Sequence, residues 1–139
     1  MISFGFADID ASVIDIDYSH LRNWLKSVID IENKILGEIN YVFCSDEYLH
    51  KVNVDYLDHD TFTDIITFPS TEDANIISGD IIVSYDRILD NSRELEILSE
   101  IELKRVVVHG VLHLIGYDDT TDTLKLQMRE KEDFHLARW

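Results

Sequence analysis

Hydrophobic positions along the chain switch several times between helical and alternating spacing. From Tyr18 to Leu36, the residues Leu21, Trp24, Leu25, Val28, Ile31, Ile35 and Leu36 form one helical stripe that stops before Gly37. Glycine is favoured just past a helix end, so the pattern predicts a helix over that whole span. Ile39 to Cys44 reads as a buried strand. Ser45 then offers an N-cap, with Asp46 and Glu47 in the first turn of a second helix running to about Leu57. Phe62 to Phe68 is β-branched and aromatic and meets Pro69, where a ladder donor is missing, so it is predicted as a strand. A polar loop, Ser70 to Ser78, leads through Gly79 into a further strand, Asp80 to Ser84, able to pair with the previous one.

Beyond these strands, Leu98, Ile101, Val108, Leu112 and Ile115 recur at spacings of three, four or seven. They predict one long amphipathic helix from Glu94 to Ile115, closed by Gly116. A charged helix from about Asp122 to Ala137 completes the chain. Strands interleave with helices, which predicts an α/β (α+β) fold over one domain, residues 1–139: a single small mixed β-sheet of about four strands covered by helices. The longest apolar run, Val106 to Tyr117, spans about twelve residues and is too short to cross a bilayer. The N-terminus lacks the pattern of a secretory signal, so a soluble cytoplasmic protein with no membrane partner is expected.

Charge narrows the set of functions. The chain carries 28 acidic and 12 basic residues, a formal net charge of −16. Such a surface repels phosphate backbones and argues against strong autonomous binding of bulk nucleic acid. An RNA role would need a bound metal, locally clustered cations or a basic partner. Cys44 is the single cysteine, which leaves imidazole and carboxylate as metal ligands.

His109 and His113 are such ligands. Four residues apart on the long predicted helix, they sit about 40° apart around its axis and roughly 6 Å along it, so both imidazoles can converge on one ion. Each follows a core-stripe residue, Val108 or Leu112, by one position, which places them on the wall of a cleft. The alternative is a pair of buried histidines satisfied by neighbours. Gly110 favours the cleft, because a mid-helix glycine costs about 1 kcal/mol and suggests close approach of another backbone or a ligand. After Gly116 turns the chain, a carboxylate among Asp118 and Asp119 can fold back and complete a three-ligand site. Asp119 could equally serve as the N-cap of the last helix. Two histidines and an aspartate suit Zn, Mn, Fe or Ni.

The string HGVLHLIGYDD resembles the H-G-x-L-H-L-x-G-Y-D-H motif of the YbeY-type bacterial endoribonucleases, and departs from it only at the last position. Upstream, Asn53, Tyr56, Thr63, Asp64, Phe68 and Pro69 resemble that family's N-x-x-Y and T-D-(V/I)-x-x-F-P blocks, and Gly79, Asp80 and Ile81 its G-D-I strand start. With Asp86, Arg87 and the stretch Met128 to Glu132, the resemblance runs from about Asn40 to the C-terminus.

The resemblance implies a metal-dependent, single-strand-specific endoribonuclease acting in ribosomal RNA maturation, at the 3′ end of small-subunit rRNA, and in ribosome quality control. It implies one divalent ion, zinc first, and as partners ribosomal RNA, the small ribosomal subunit, and a ribosome-associated GTPase or ribosomal protein. The family's third metal histidine falls on Asp119, a harder anionic ligand that shifts preference away from zinc. The arginine that usually follows the N-x-x-Y tyrosine is Leu57 here, and His59, Arg105 or Arg87 could replace its charge. Arg105 is best placed, four residues before His109 on the same helix face. Zincins carry a glutamate base beside the first histidine, where this chain has Gly110, so the general base falls to Asp118 or Asp64. Both also have structural alternatives, Asp118 behind a ligand histidine and Asp64 at a strand entry. Competing readings are a ribosome-docking assembly factor with a mainly structural metal, a metal-dependent peptidase or amide hydrolase, and, last, a non-haem iron oxygenase.

Overall fold

A computed structural model describes residues 1–57 and 63–139. The first strand, β1 (Ile2–Phe6), leads through a single helical turn at Ala11–Val13 to α1 (Tyr18–Ile31). Next come β2 (Ile35–Cys44), α2 (Asp46–Leu57), β3 (Ile65–Pro69) and β4 (Ile76–Ser84). Three helices follow: α3 (Tyr85–Leu95), α4 (Ser99–Ile115) and α5 (Asp122–Leu136). The strands form one mixed sheet in the order β1-β2-β4-β3, with β1, β2 and β4 parallel and β3 antiparallel to β4.

Strand periodicity sorts the side chains onto two faces. Ile39, Tyr41 and Phe43 of β2, with Ile77, Ile81 and Val83 of β4, face the main core and meet Leu21, Leu25 and Val28 of α1 and Val107, Val111 and Leu112 of α4. Cys44, Ile66 and Ile82 point the other way, into a smaller cluster with Leu49 and Val52 of α2. The helix α4 is central: it touches β3, β4, α1, α3 and α5. The Tyr41 hydroxyl reaches across from the sheet and donates a buried 2.7 Å hydrogen bond to the Val107 carbonyl, which fixes the height of α4 on the sheet. Truncating a fully buried contact such as Leu112 to alanine costs about 2–5 kcal/mol in cores of this kind.

Three boundaries differ from the expectation. The first helix ends at Ile31, not Leu36: Asn33 takes a left-handed conformation (φ 59°), and Ile35 and Leu36 pair with Ile76 and Ile77 of β4. Asparagine tolerates that conformation better than most residues, and the ladder satisfies backbone groups that a longer helix would have used. Gly37 lies within β2 and permits close approach, because a Cβ there would overlap Ser78 Oγ at 1.9 Å.

The span from Glu94 to Ile115 is not one helix. Glu96, at φ 55°, breaks the chain between α3 and α4, and Leu98 is the N-cap residue of α4. Leu98 and Ile101 are exposed, so the buried stripe starts at Leu103. The strand β4 begins at Ile76, earlier than Asp80, because Ile76 and Ile77 extend the ladder to β2. Phe62, the expected start of β3, lies outside the described residues.

Candidate metal centre

His109 and His113 lie in the last two turns of α4, each beside a fully buried neighbour, Val108 and Leu112. Their side chains are 20% and 25% exposed, and their rings meet edge-on with centroids 4.6 Å apart. Gly110 lies between them on the sheet side: an added Cβ would come within 2.8 Å of Ile65 Cδ1 and 3.0 Å of Ile81 Cγ2. The close approach that its presence suggested is therefore to sheet side chains, not to a ligand or another backbone.

The chain turns back immediately after the helix. Gly116 adopts φ 125°, and the Gly116 and Tyr117 N–H groups both donate to the Leu112 carbonyl. The Asp118 carboxylate accepts a 2.7 Å hydrogen bond from the Asp119 N–H and one of 3.5 Å from the Thr120 hydroxyl, shaping the turn. Thr121 caps α5 by accepting from the Leu124 N–H. The capping role open to Asp119 is thus filled by Thr121, and the Asp119 carboxylate faces the histidines.

Asp119 Oδ2 is 3.5 Å from His109 Nε2, and Oδ1 is 3.6 Å from His113 Nε2. One ligand atom from each of the three residues lies within 4.8 Å of the others. Donor atoms of a tetrahedral shell with bonds of about 2.1 Å are separated by roughly 3.4 Å, so small side-chain rotations close this group around one ion. Two neutral imidazoles and a carboxylate also leave positions open for water or substrate. The donor set fits a divalent metal.

Behind His109, Glu132 of α5 accepts at 2.7 Å from Nδ1. A carboxylate can only accept, so Nδ1 carries the proton and Nε2 presents its lone pair to the site. Arg105 is placed next to Glu132, its guanidinium donating to Glu132 Oε1 at 2.9 Å and to Asp133 Oδ1 at 2.8 Å. Burial works to raise the Glu132 carboxyl, but His109 and Arg105 outweigh it and hold it below the ordinary range. Burial likewise lowers His109, and the hydrogen bond and charge of Glu132, with Asp64 and Asp119, more than reverse this, so its pKa is raised.

Asp64, at the entry to β3, lines a cavity of about 250 Å³ together with Glu102, Arg105, His109, Asp119 and Glu132. Burial raises its carboxyl pKa, partly offset by the neighbouring His109. The structure therefore brings Asp64 and Arg105 beside the histidines, while Asp118 is spent on the turn. Arg87 donates to Asp46 at 2.6 Å and ties α3 to α2, and His59 and the Leu57 side chain lie outside the described residues. Glu132 and Glu102 were not singled out from the sequence. Glu132 could have been found as the buried partner, one turn on, of Met128 in an otherwise polar helix.

The family model for endoribonuclease YbeY matches residues 7–139. The chain belongs to the endoribonuclease YbeY family. Among curated family members it is 55% identical to endoribonuclease YbeY of Flavobacterium johnsoniae over 115 residues, 83% of this chain and 82% of that one. It is 47% identical to the Flavobacterium psychrophilum protein of the same description over 136 residues, 98% and 94% of the two chains. Its fold is similar to the solution structure of TM1509 from Thermotoga maritima, with a TM-score of 0.69 and 28% identity, covering 98% of this chain and 87% of that one. The match spans the whole site, from Asp64 to Glu132, and the mixed α+β architecture.

Proposed function

We propose that residues 1–139 act as one metal-dependent hydrolase domain that cuts single-stranded RNA during ribosomal RNA maturation. Family membership makes the chain an endoribonuclease, a hydrolase of RNA phosphodiester bonds. The observation that carries the metal-dependent reading is the convergence of His109, His113 and Asp119 on one point, with Glu132 fixing the first of them.

His109, His113 and Asp119 would hold a divalent ion, which would supply Lewis-acid chemistry at the phosphodiester. Zinc is the ion expected first, with Mn, Fe or Ni accommodated by the carboxylate of Asp119. Asp64, which lines the same cavity as His109 and Asp119, is the carboxylate we assign to take up the attacking proton. Asp118 is less suited, because its carboxylate is engaged by the turn. Arg105 acts through Glu132 as a positioning residue. The substrate is assigned as small-subunit rRNA near its 3′ end. The small ribosomal subunit, with a ribosomal protein or a ribosome-associated GTPase, brings that RNA to an acidic protein. The proposed role in ribosomal RNA maturation assigns the protein to the cytoplasm; separately, no helix among the described residues is long and apolar enough to cross a membrane.

The test is to strip the protein with a chelator, reload it with single metals, and assay single-stranded RNA, duplex RNA and casein for wild type, His113→Ala and Asp119→Ala. Metal-dependent cleavage of single-stranded RNA alone, lost in both variants, is expected. Full ribosome maturation in cells that carry either variant would contradict it and favour a docking factor.

A further inference from the structure

The metal centre opens onto a groove of about 620 Å³ along α5, and the groove holds two cations. Lys125 and Arg129 are four residues apart on α5, on one helix face and roughly 6 Å apart along the axis. His109 and Asp119 stand at one end of the groove. Leu126, largely exposed, lines the same surface and offers an apolar shelf.

Most other arginines on the molecule are engaged by nearby side chains. Arg87 is held by Asp46, Arg93 by Asp90, Arg105 by Glu132 and Asp133, and Arg138 by Ser27 and His135. Arg129 is 56% exposed and its ion pair to Glu132 is long at 3.9 Å; Arg93 is more exposed still, at 72%, but is paired with Asp90 at 3.2 Å and lies on α3, outside the lining of the groove. Lys125 is exposed on the same helix face. The groove also carries the carboxylates of Asp119, Asp122 and Glu132. Asp119 is a proposed metal ligand and Glu132 is turned towards His109 and Arg105, which leaves Asp122 as the carboxylate opposing a polyanion.

We propose that Lys125 and Arg129 hold consecutive phosphates of a single RNA strand and feed it along α5 to the metal centre. The assignment rests on the nuclease reading and adds the strand's path. Two neighbouring cations one helical turn apart match the repeat of charge along a single extended strand, whereas the surrounding acidic surface disfavours the denser charge of a duplex. In a chain of net charge −16, this pair supplies the local attraction that the whole molecule lacks.

The test separates binding from cleavage. Zinc-loaded protein is titrated with a fluorescent single-stranded oligonucleotide carrying 2′-O-methyl ribose, at several salt concentrations, alongside cleavage kinetics on the unmodified RNA. Arg93→Gln with Lys26→Gln, two exposed neutralisations on α3 and α1 away from the groove, controls for net charge. Lys125→Gln with Arg129→Gln is expected to weaken binding about tenfold and to make the salt dependence shallower by about 1.4, since each single-strand phosphate contact contributes about 0.7. The KM rises while kcat holds, and Lys125→Arg with Arg129→Lys restores both binding and slope. Binding by the double glutamine variant within about twofold of the Arg93→Gln with Lys26→Gln control, with an unchanged slope, overturns the groove. Wild-type protein that binds through these cations yet leaves RNA uncut would overturn the nuclease reading and leave the groove standing.

Discussion

Two histidine–glutamate pairs lie on α5 and its neighbours, and the same chemistry is put to different ends in each. In one, Glu132 of α5 holds His109 at 2.7 Å, and the second ring nitrogen of His109 is 3.5 Å from the Asp119 carboxylate in a cleft. In the other, His135 of α5 lies 3.0 Å from Glu32 at the end of α1, and its second nitrogen accepts from Arg138 at 2.6 Å. His135 is fully buried. Glu32 is further bound by the Tyr117 hydroxyl and by Lys131, and Arg138 by Ser27. The first pair leaves a lone pair open to a ligand, and the second is closed on every side.

The charges follow suit. Burial lowers both histidines, but three carboxylates around His109 reverse the effect, while Arg138 and Lys131 around His135 help burial outweigh Glu32 and keep that ring neutral. The free nitrogen of His109 therefore faces the Asp119 carboxylate in a cleft, as the proposed ligand role requires, whereas that of His135 is closed off by Arg138 in the interior. The two pairs are also joined, because Tyr117 belongs to the turn that carries Asp119.

The largest effect that separates them is on the metal. His109→Ala should lose affinity beyond the roughly 100-fold ascribed to supporting residues, whereas His135→Ala should keep metal binding within a few-fold. Calorimetric titration with zinc decides between these outcomes, and equal loss in both variants would erase the distinction. Next in size is stability: His135→Ala removes a fully buried partner of Glu32 and should cost about 3 kcal/mol. That corresponds to a thermal midpoint roughly 10 °C lower, with little change for His113→Ala in metal-free protein.

Glu132→Gln keeps the shape of the first pair but weakens its acceptor, so metal affinity should fall about 10- to 100-fold while the fold persists. An unchanged affinity would show that His109 needs no support.

The smallest effect is on pH dependence. The folded pKa of His135 lies below its ordinary value of 6.5, so the unfolded chain takes up a proton that the folded protein refuses. Stability contributed by neutral His135 is therefore present above about pH 6.5 and is lost as pH falls through the lowered folded value. Comparing denaturation midpoints of wild type and His135→Gln between neutral and mildly acid pH should show this slope, at most about 1.4 kcal/mol per pH unit, in wild type only.

The contrast shows which features are legible in the sequence. The spacing of His109 and His113 on a helix, and the stop at Gly116, are local, and they can be read because helix geometry alone sets them. The mixed four-stranded sheet was legible in outline, but β1 was missed, since five residues at a chain end carry too little pattern against their parallel neighbour. Helix ends were read wrongly where long-range pairing decided them: Ile35 and Leu36 continue a helical stripe, yet the ladder to Ile76 and Ile77 claims them. Glu132 and Arg105 illustrate the same limit at the site. Their partners lie 23 and 27 residues away on another helix, a separation that no local period encodes.

The central claim is that His109, His113 and Asp119 form one metal centre. Its most direct test is the stoichiometry and affinity of divalent metal on chelator-stripped protein, by elemental analysis and calorimetry, for wild type and for His113→Ala. One tightly bound ion per chain is expected in wild type and none is expected to be retained by His113→Ala. A wild-type chain that takes up no ion, or a His113→Ala variant that keeps it with unchanged affinity, would contradict the claim.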